Sequence, residues 1–90
     1  MSDAEPESLL TFPCEIAIKA MGKSSSDFDA IVVELVRRHV ADIAEGAVSS
    51  RPSRAGTYTA VTVLIQATSR AQLDAIYQEL TASPDVLMAL

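Results

Sequence analysis

The sequence predicts an α+β two-layer sandwich: a four-stranded antiparallel sheet with two helices on one face. Three observations carry this expectation. Apolar residues alternate with period two in two long segments, they recur at steps of three and four in two others, and the order along the chain is strand, helix, strand, strand, helix, strand. Ninety residues allow one domain with one modest core. With 49% hydrophobic residues but 4% aromatic ones, that core is aliphatic.

Residues 1–8 carry Asp3, Glu5 and Glu7 with Pro6 and small polar residues, and read as an acidic, flexible arm ahead of a single domain over residues 9–90. From Cys14, the residues Cys14, Ile16, Ile18 and Ala20 alternate with Glu15, Ala17, Lys19 and Met21, the pattern of a strand buried on one face. Gly22 is expected to end it. A polar connection from Lys23 to Ser26 follows, with Ser26 placed to cap a helix whose first turn holds Asp27 and Asp29. Phe28, Ile31, Val32, Leu35, Val36, His39 and Val40 then trace one apolar stripe.

Gly46 breaks that pattern, and Ala47 to Ser53 reads as a weak strand. It contains Pro52, which donates no ladder hydrogen bond and so belongs at an edge, an end or a bulge. Arg54-Ala55-Gly56 supplies a tight turn. Thr57 to Ala67 is the clearest strand, with Thr59, Val61, Val63 and Ile65 on one face and Tyr58, Ala60, Thr62, Leu64 and Gln66 on the other. Ser69 and Gln72 have the spacing of a capping box, opening a helix with Leu73, Ile76, Tyr77 and Leu80 on one stripe. Pro84 and Asp85 lead to a last short strand over 86–90. This βαββαβ order, with a tight central hairpin, favours the ferredoxin-like sandwich with strand order 4-1-3-2. That order puts the Pro52 strand at an edge and the two strongest strands in the centre, in agreement with their composition.

Composition narrows the function classes. No apolar stretch approaches the ~20 residues of a membrane span. The acidic opening residues are the opposite of a secretory n-region, and the single cysteine, Cys14, forms no internal disulfide; both suit the cytoplasm. The formal net charge is −5, and since three of the twelve acids lie in the arm, the domain itself is nearer −2. Such a field does not favour polyanions.

Few residues offer chemistry. Cys14 lies on an apolar phase and reads as a core or rim thiol. His39, the one histidine, reads as a boundary residue at a helix C-terminus. One Cys and one His without C-x-x-C or H-x-x-x-H spacing make no metal site, and the isolated glycines make no phosphate loop, so no metal or other cofactor is expected. Asp27, Asp29, Glu34, Asp74 and Glu79 fit helix capping and solvated faces. Gly22 and the Lys23-Ser24-Ser25-Ser26 run could bring backbone N–H groups to a small anion, although a simple turn is the better explanation of the glycine. Arg51, Arg54 and Arg70 form a weak basic group, and with Tyr58 the one aromatic on the sheet, RNA recognition by base stacking is not expected. The sheet face away from the helices is the unusual feature. Ala17, Lys19, Met21, Tyr58, Ala60, Thr62 and Leu64 would face outward there as a semi-apolar surface, suited to a homodimer or a protein partner.

Taken in order, Leu9-Leu10-Thr11-Phe12-Pro13, Ile18-Lys19-Ala20-Met21-Gly22, Arg38-His39, Pro52-Ser53-Arg54-Ala55-Gly56-Thr57-Tyr58 with its Val-x-Val strand, and Tyr77-Gln78-Glu79-Leu80 resemble the YbeD-like family of small uncharacterised bacterial proteins. The acidic arm and Cys14-Glu15 depart from the family pattern. The resemblance implies an ACT-like form of the ferredoxin-like fold, in which many relatives bind amino acids and regulate an attached enzyme. It would place a ligand at Met21, Gly22, Lys23 and Ser24. The expectation is therefore a non-catalytic regulatory or adaptor module that binds a partner protein or a small polar metabolite. The alternatives are a small accessory enzyme using Cys14 or His39, and a weak nucleic-acid binder using Arg51, Arg54 and Arg70.

Overall fold

The computed structural model describes residues 11–90, so the arm over 1–8 and the expected domain start at Leu9 lie outside the described residues. In chain order the elements are β1 (Cys14–Lys23), α1 (Phe28–Arg37), β2 (Val48–Pro52), β3 (Tyr58–Ala67), α2 (Arg70–Ala82) and β4 (Met88–Ala89). The sheet is antiparallel in the order β2-β3-β1-β4, which is the predicted 4-1-3-2 read from the opposite edge.

β1 and β3 pair over ten consecutive positions, from Cys14 opposite Ala67 to Lys23 opposite Tyr58. Partners in such a ladder share a face. Ile18 and Ala20 with Val61, Val63, Ile65 and Ala67 therefore turn together toward the helices and are buried. Phe28, Val32 and Val36 of α1 and Leu73, Ile76 and Leu80 of α2 cover them, and Val86 closes the core beside β4. Among the described residues no polar or charged residue is buried in this core. No helix among them is long and apolar enough to cross a membrane.

Local chemistry explains the ends of the elements. Ser69 caps α2 as expected, its Oγ accepting from the Gln72 backbone N–H at 3.1 Å. The reciprocal half of the capping box is displaced by one residue: Gln72 Oε1 accepts from the Thr68 backbone N–H at 2.7 Å. In the hairpin between β2 and β3, Gly56 takes φ of 78°, the conformation for which glycine is suited. Pro52 ends β2 on an outer edge of the sheet, where its missing N–H costs no bond. β4 pairs only at Met88 and Ala89, but the ladder continues on both sides. Leu87 N–H donates to the Met21 carbonyl at 2.8 Å, and Lys19 and Leu90 exchange bonds of 3.0 and 2.8 Å.

Three local expectations need correction. Gly22 does not end β1; it is buried within the strand, opposite Thr59, and Lys23 continues the pairing. Nor does its φ lie in the left-handed region. A Cβ at this position would overlap the Asp85 carbonyl oxygen and lie 2.5 Å from Phe28 Cε1, so the glycine is required by close packing. Ser26 does not cap α1. Asp27 holds that position without a capping bond and instead accepts from Ser25 Oγ at 3.1 Å. The α1 stripe continues past the helix itself, since His39 and Val40 follow the C-cap at Arg38. Val40 is nevertheless buried.

Gly22→Ala should lower the unfolding free energy by about 1–3 kcal/mol, the usual cost of overpacking a filled site. Urea denaturation of the two proteins measures this, and equal midpoints would contradict the close approach of Asp85 and Phe28.

Candidate functional site

The pairing that builds the core also builds the opposite face. Ala17 opposite Leu64, Lys19 opposite Thr62, Met21 opposite Ala60 and Lys23 opposite Tyr58 all point away from the helices. β2 adds Ser49 beside Thr62 and Arg51 beside Ala60, and β4 adds Met88 beside Met21. Every residue expected on this face from the sequence is there. Ser49, Arg51 and the specific residue Met88 could not be placed on it from the sequence, because β2 and β4 are too short to show their phase before their partners are known.

The face is not flat. An apolar pit of about 80 Å³ lies between β4 and β1, lined by Met21, Ala60, Met88 and Leu90 with the Lys19 stem. A second, of about 190 Å³, lies toward β2 between Met21, Tyr58, Ala60, Pro52 and Arg51. Beside both, Lys19, Ser49, Ser50, Arg51, Ala60 and Thr62 surround a more polar basin of about 420 Å³. Met21 and Ala60 are the shared wall of the two pits.

The four residues assigned to a ligand by family resemblance do not share one depression. Met21 faces the open side, and Gly22 is buried. Lys23 and Ser24 line a separate groove of about 350 Å³ at the β1–α1 junction, with Phe28, Asp85 and Leu87. Ser24 Oγ lies 2.7 Å from Thr59 Oγ1 in a hydrogen bond, so that hydroxyl is already engaged.

Cys14 and His39 lie elsewhere. Cys14 is half-buried at the start of β1, on the helix-facing phase. His39 sits between the helices, its carbonyl accepting from Gln72 Nε2 at 2.9 Å. His39 Nε2 is buried without a hydrogen-bond partner, 3.8 Å from Glu79 Oε2, an oxygen that accepts from Arg38 Nη1 at 3.0 Å. Arg38 also approaches Glu34 at 3.9 Å. This cluster ties the end of α1 to α2, and neither Cys14 nor His39 lines any of the four depressions described above. Among the described residues no group of three or more His, Cys, Asp or Glu side chains could hold a metal ion. The basic group expected from the sequence is also divided. Arg51 pairs beside Ala60, whereas Arg70 follows the far end of β3 and pairs with Asp74 at 3.3 Å.

On α2, burial pushes the Tyr77 phenol above its ordinary range. The folded state therefore favours the neutral form, and the stabilisation is complete below the unfolded value and lost as pH rises through the folded one. The unfolding free energy should stay level in this respect up to about pH 10 and fall beyond it. Tyr77→Phe should remove that part of the alkaline decline; identical decline in both proteins would contradict the burial of the phenol.

Comparisons with known proteins agree with this fold. A family model described as a protein of unknown function, DUF493, matches residues 7–90. A UPF0250 protein of Paraburkholderia phytofirmans is 46% identical over 84 residues, covering 93% of this chain and 94% of the relative. Another, from Chromobacterium violaceum, is 46% identical over 90 residues and the full length of both chains. The solution structure of HP0495 from H. pylori superposes with a TM-score of 0.68 over 100% of this chain and 98% of that one, at 11% identity, a likeness of fold. With a matching family model across nearly its whole length and relatives this similar, the chain belongs to the DUF493 family, the UPF0250 or YbeD-like proteins.

Proposed function

We propose that this chain is a non-catalytic, cytoplasmic, ACT-like adaptor that holds a partner protein on the open face of its sheet. One observation carries the reading: Met21, Tyr58 and Met88 share that face around the two pits and expose 39, 40 and 52% of their surface, while Leu90 at its edge exposes 68%. Scattered exposed apolar residues are ordinary, whereas a contiguous set rimmed by polar side chains marks an interaction surface. The separation of Cys14 and His39 from the pits and grooves gives the accessory-enzyme reading no such support.

Met88→Asp and Met21→Asp change exposed positions and should leave the circular dichroism spectrum and the midpoint of thermal unfolding nearly unaltered. Both variants should lose about tenfold or more of the partner that the immobilised wild-type chain recovers from bacterial lysate, as expected for residues at the centre of an interface. Equal recovery by wild type and variants would overturn the reading.

The groove at the β1–α1 junction supports a second reading, a small polar metabolite held near Lys23 and Ser24. A saturable rise in unfolding temperature with an amino acid or related metabolite, abolished in Lys23→Ala, would establish it. No shift across such a set would eliminate it.

A further inference from the structure

The open face carries a charge pattern as well as an apolar one. Of the nine carboxylate residues in positions 11–90, Glu15 is the one on the open-face phase of a strand, and with Asp42 and Glu45 it lines a depression beside Leu64 and Gln66, at the end away from the two apolar pits. Lys19 and Arg51 instead flank Met21 and Ala60, the shared wall of those pits, and both line the polar basin beside them. On the helix layer Arg38 is paired with Glu34 and Glu79, and Arg70 with Asp74. Among the described residues no carboxylate pairs with Lys19 or Arg51. A chain of net charge −5 thus turns Lys19 and Arg51, neither with a carboxylate partner among the described residues, toward the pits, and Lys23 follows Lys19 and Met21 on the same phase of β1.

We infer that the partner segment seated on this face is acidic and amphipathic, with apolar anchors for the pits and carboxylates for Lys19 and Arg51. The inference rests on the adaptor reading above and names the chemistry of the occupant. The pits share Met21 and Ala60, so apolar side chains that fill them stand side by side over β1 and β3. Carboxylates between the anchors would meet Lys19 and Arg51 where neighbouring apolar contacts exclude water and strengthen the pairing.

Other occupants fit less well. A second copy laid face to face over the pits would bring Lys19 and Arg51 toward their own repeats, because Glu15, Asp42 and Glu45 lie together at the other end of the face. Single-stranded nucleic acid needs several stacking platforms and a continuous basic track. Tyr58 is the one aromatic residue of the sheet, and Arg51 and Arg70 stand near opposite ends of β3.

The test uses two synthetic amphipathic peptides with the same leucine stripe, one with glutamate and the other with lysine on the polar face. Fluorescence anisotropy with the full chain should show the glutamate peptide binding at least about tenfold more tightly, with an affinity that falls as salt is raised. Lys19→Glu and Arg51→Glu should each weaken it and narrow the preference, and polyglutamate lacking the leucine anchors should bind about tenfold more weakly than the anchored peptide. Equal binding of the two peptides, preference for the lysine form, tighter binding of an oligothymidylate, or a dimer in sedimentation that Met88→Asp dissolves would each overturn the inference. Equal binding that Met88→Asp abolishes would leave the adaptor reading standing without its acidic partner. Binding of neither peptide, together with unaltered lysate recovery by Met88→Asp, would remove both.

Discussion

The ladder between β1 and β3 joins segments 35 to 53 residues apart in sequence, and its register decides the destination of nearly every apolar side chain in the sheet. Because side chains alternate with period two, a slip of one residue would turn Ile18 and Ala20 toward solvent and bring Lys19 under the helices. Burial of Ile18, Val61 and Val63, each 0% exposed, opposes that slip, since a fully buried aliphatic side chain contributes roughly 1.5–3 kcal/mol. The same constraint leaves Ala17, Met21, Tyr58 and Leu64 on the other face. The open surface is a consequence of the register that makes the core, with its chemistry set by residues on which core packing makes no demand.

The helices and β4 follow from this central pair. Gly22 admits the Asp85 carbonyl and the Phe28 ring to the end of β1, bringing the start of α1 and the connection after α2 together over one strand. The chain then leaves Asp85 in a position from which Leu87 donates to Met21 and Leu90 exchanges bonds with Lys19. So β4, only two residues by pairing, is held by its neighbours, and its open-phase side chains Met88 and Leu90 complete the apolar pit beside Met21. The other end of the helix layer is joined by polar contacts, Gln72 to the His39 carbonyl and Arg38 to Glu79. These half-exposed links orient the helices, while the aliphatic core carries the stability.

Much of this was legible in the residues. The alternation in β1 and β3 is long enough to show both strands and both faces, and the stripes through Phe28, Val32 and Val36 and through Leu73, Ile76 and Leu80 identify the helices. The Ser69 cap was equally readable, because serine there is followed by glutamine at the third position and an apolar run. The Ser26 cap was not. The run Lys23-Ser24-Ser25-Ser26 offers equivalent hydroxyls, and the choice depended on how far β1 remained paired with β3: Lys23 stays in the ladder, Ser24 bonds to Thr59, and α1 begins behind Asp27. Gly22 departs from the sequence expectation for a similar reason. A glycine between a strand and a helix suggests a turn, and only the tertiary arrangement shows that a Cβ would meet Asp85 and Phe28.

By itself the sequence determined the number, kind and order of the elements, the edge position of the Pro52 strand, and which residues of the two long strands share a face. These follow from local periodicity and from what each side chain does to its own backbone. The tertiary structure alone decided that Arg51 of β2 and Met88 of β4 join Lys19 and Met21 around two adjacent pits, that Arg70 stands apart from Arg51, and that Met21 and Lys23 line different depressions. Strands of five and two residues carry too little alternation to announce their phase, so only hydrogen bonding to a longer neighbour assigns their side chains to a face.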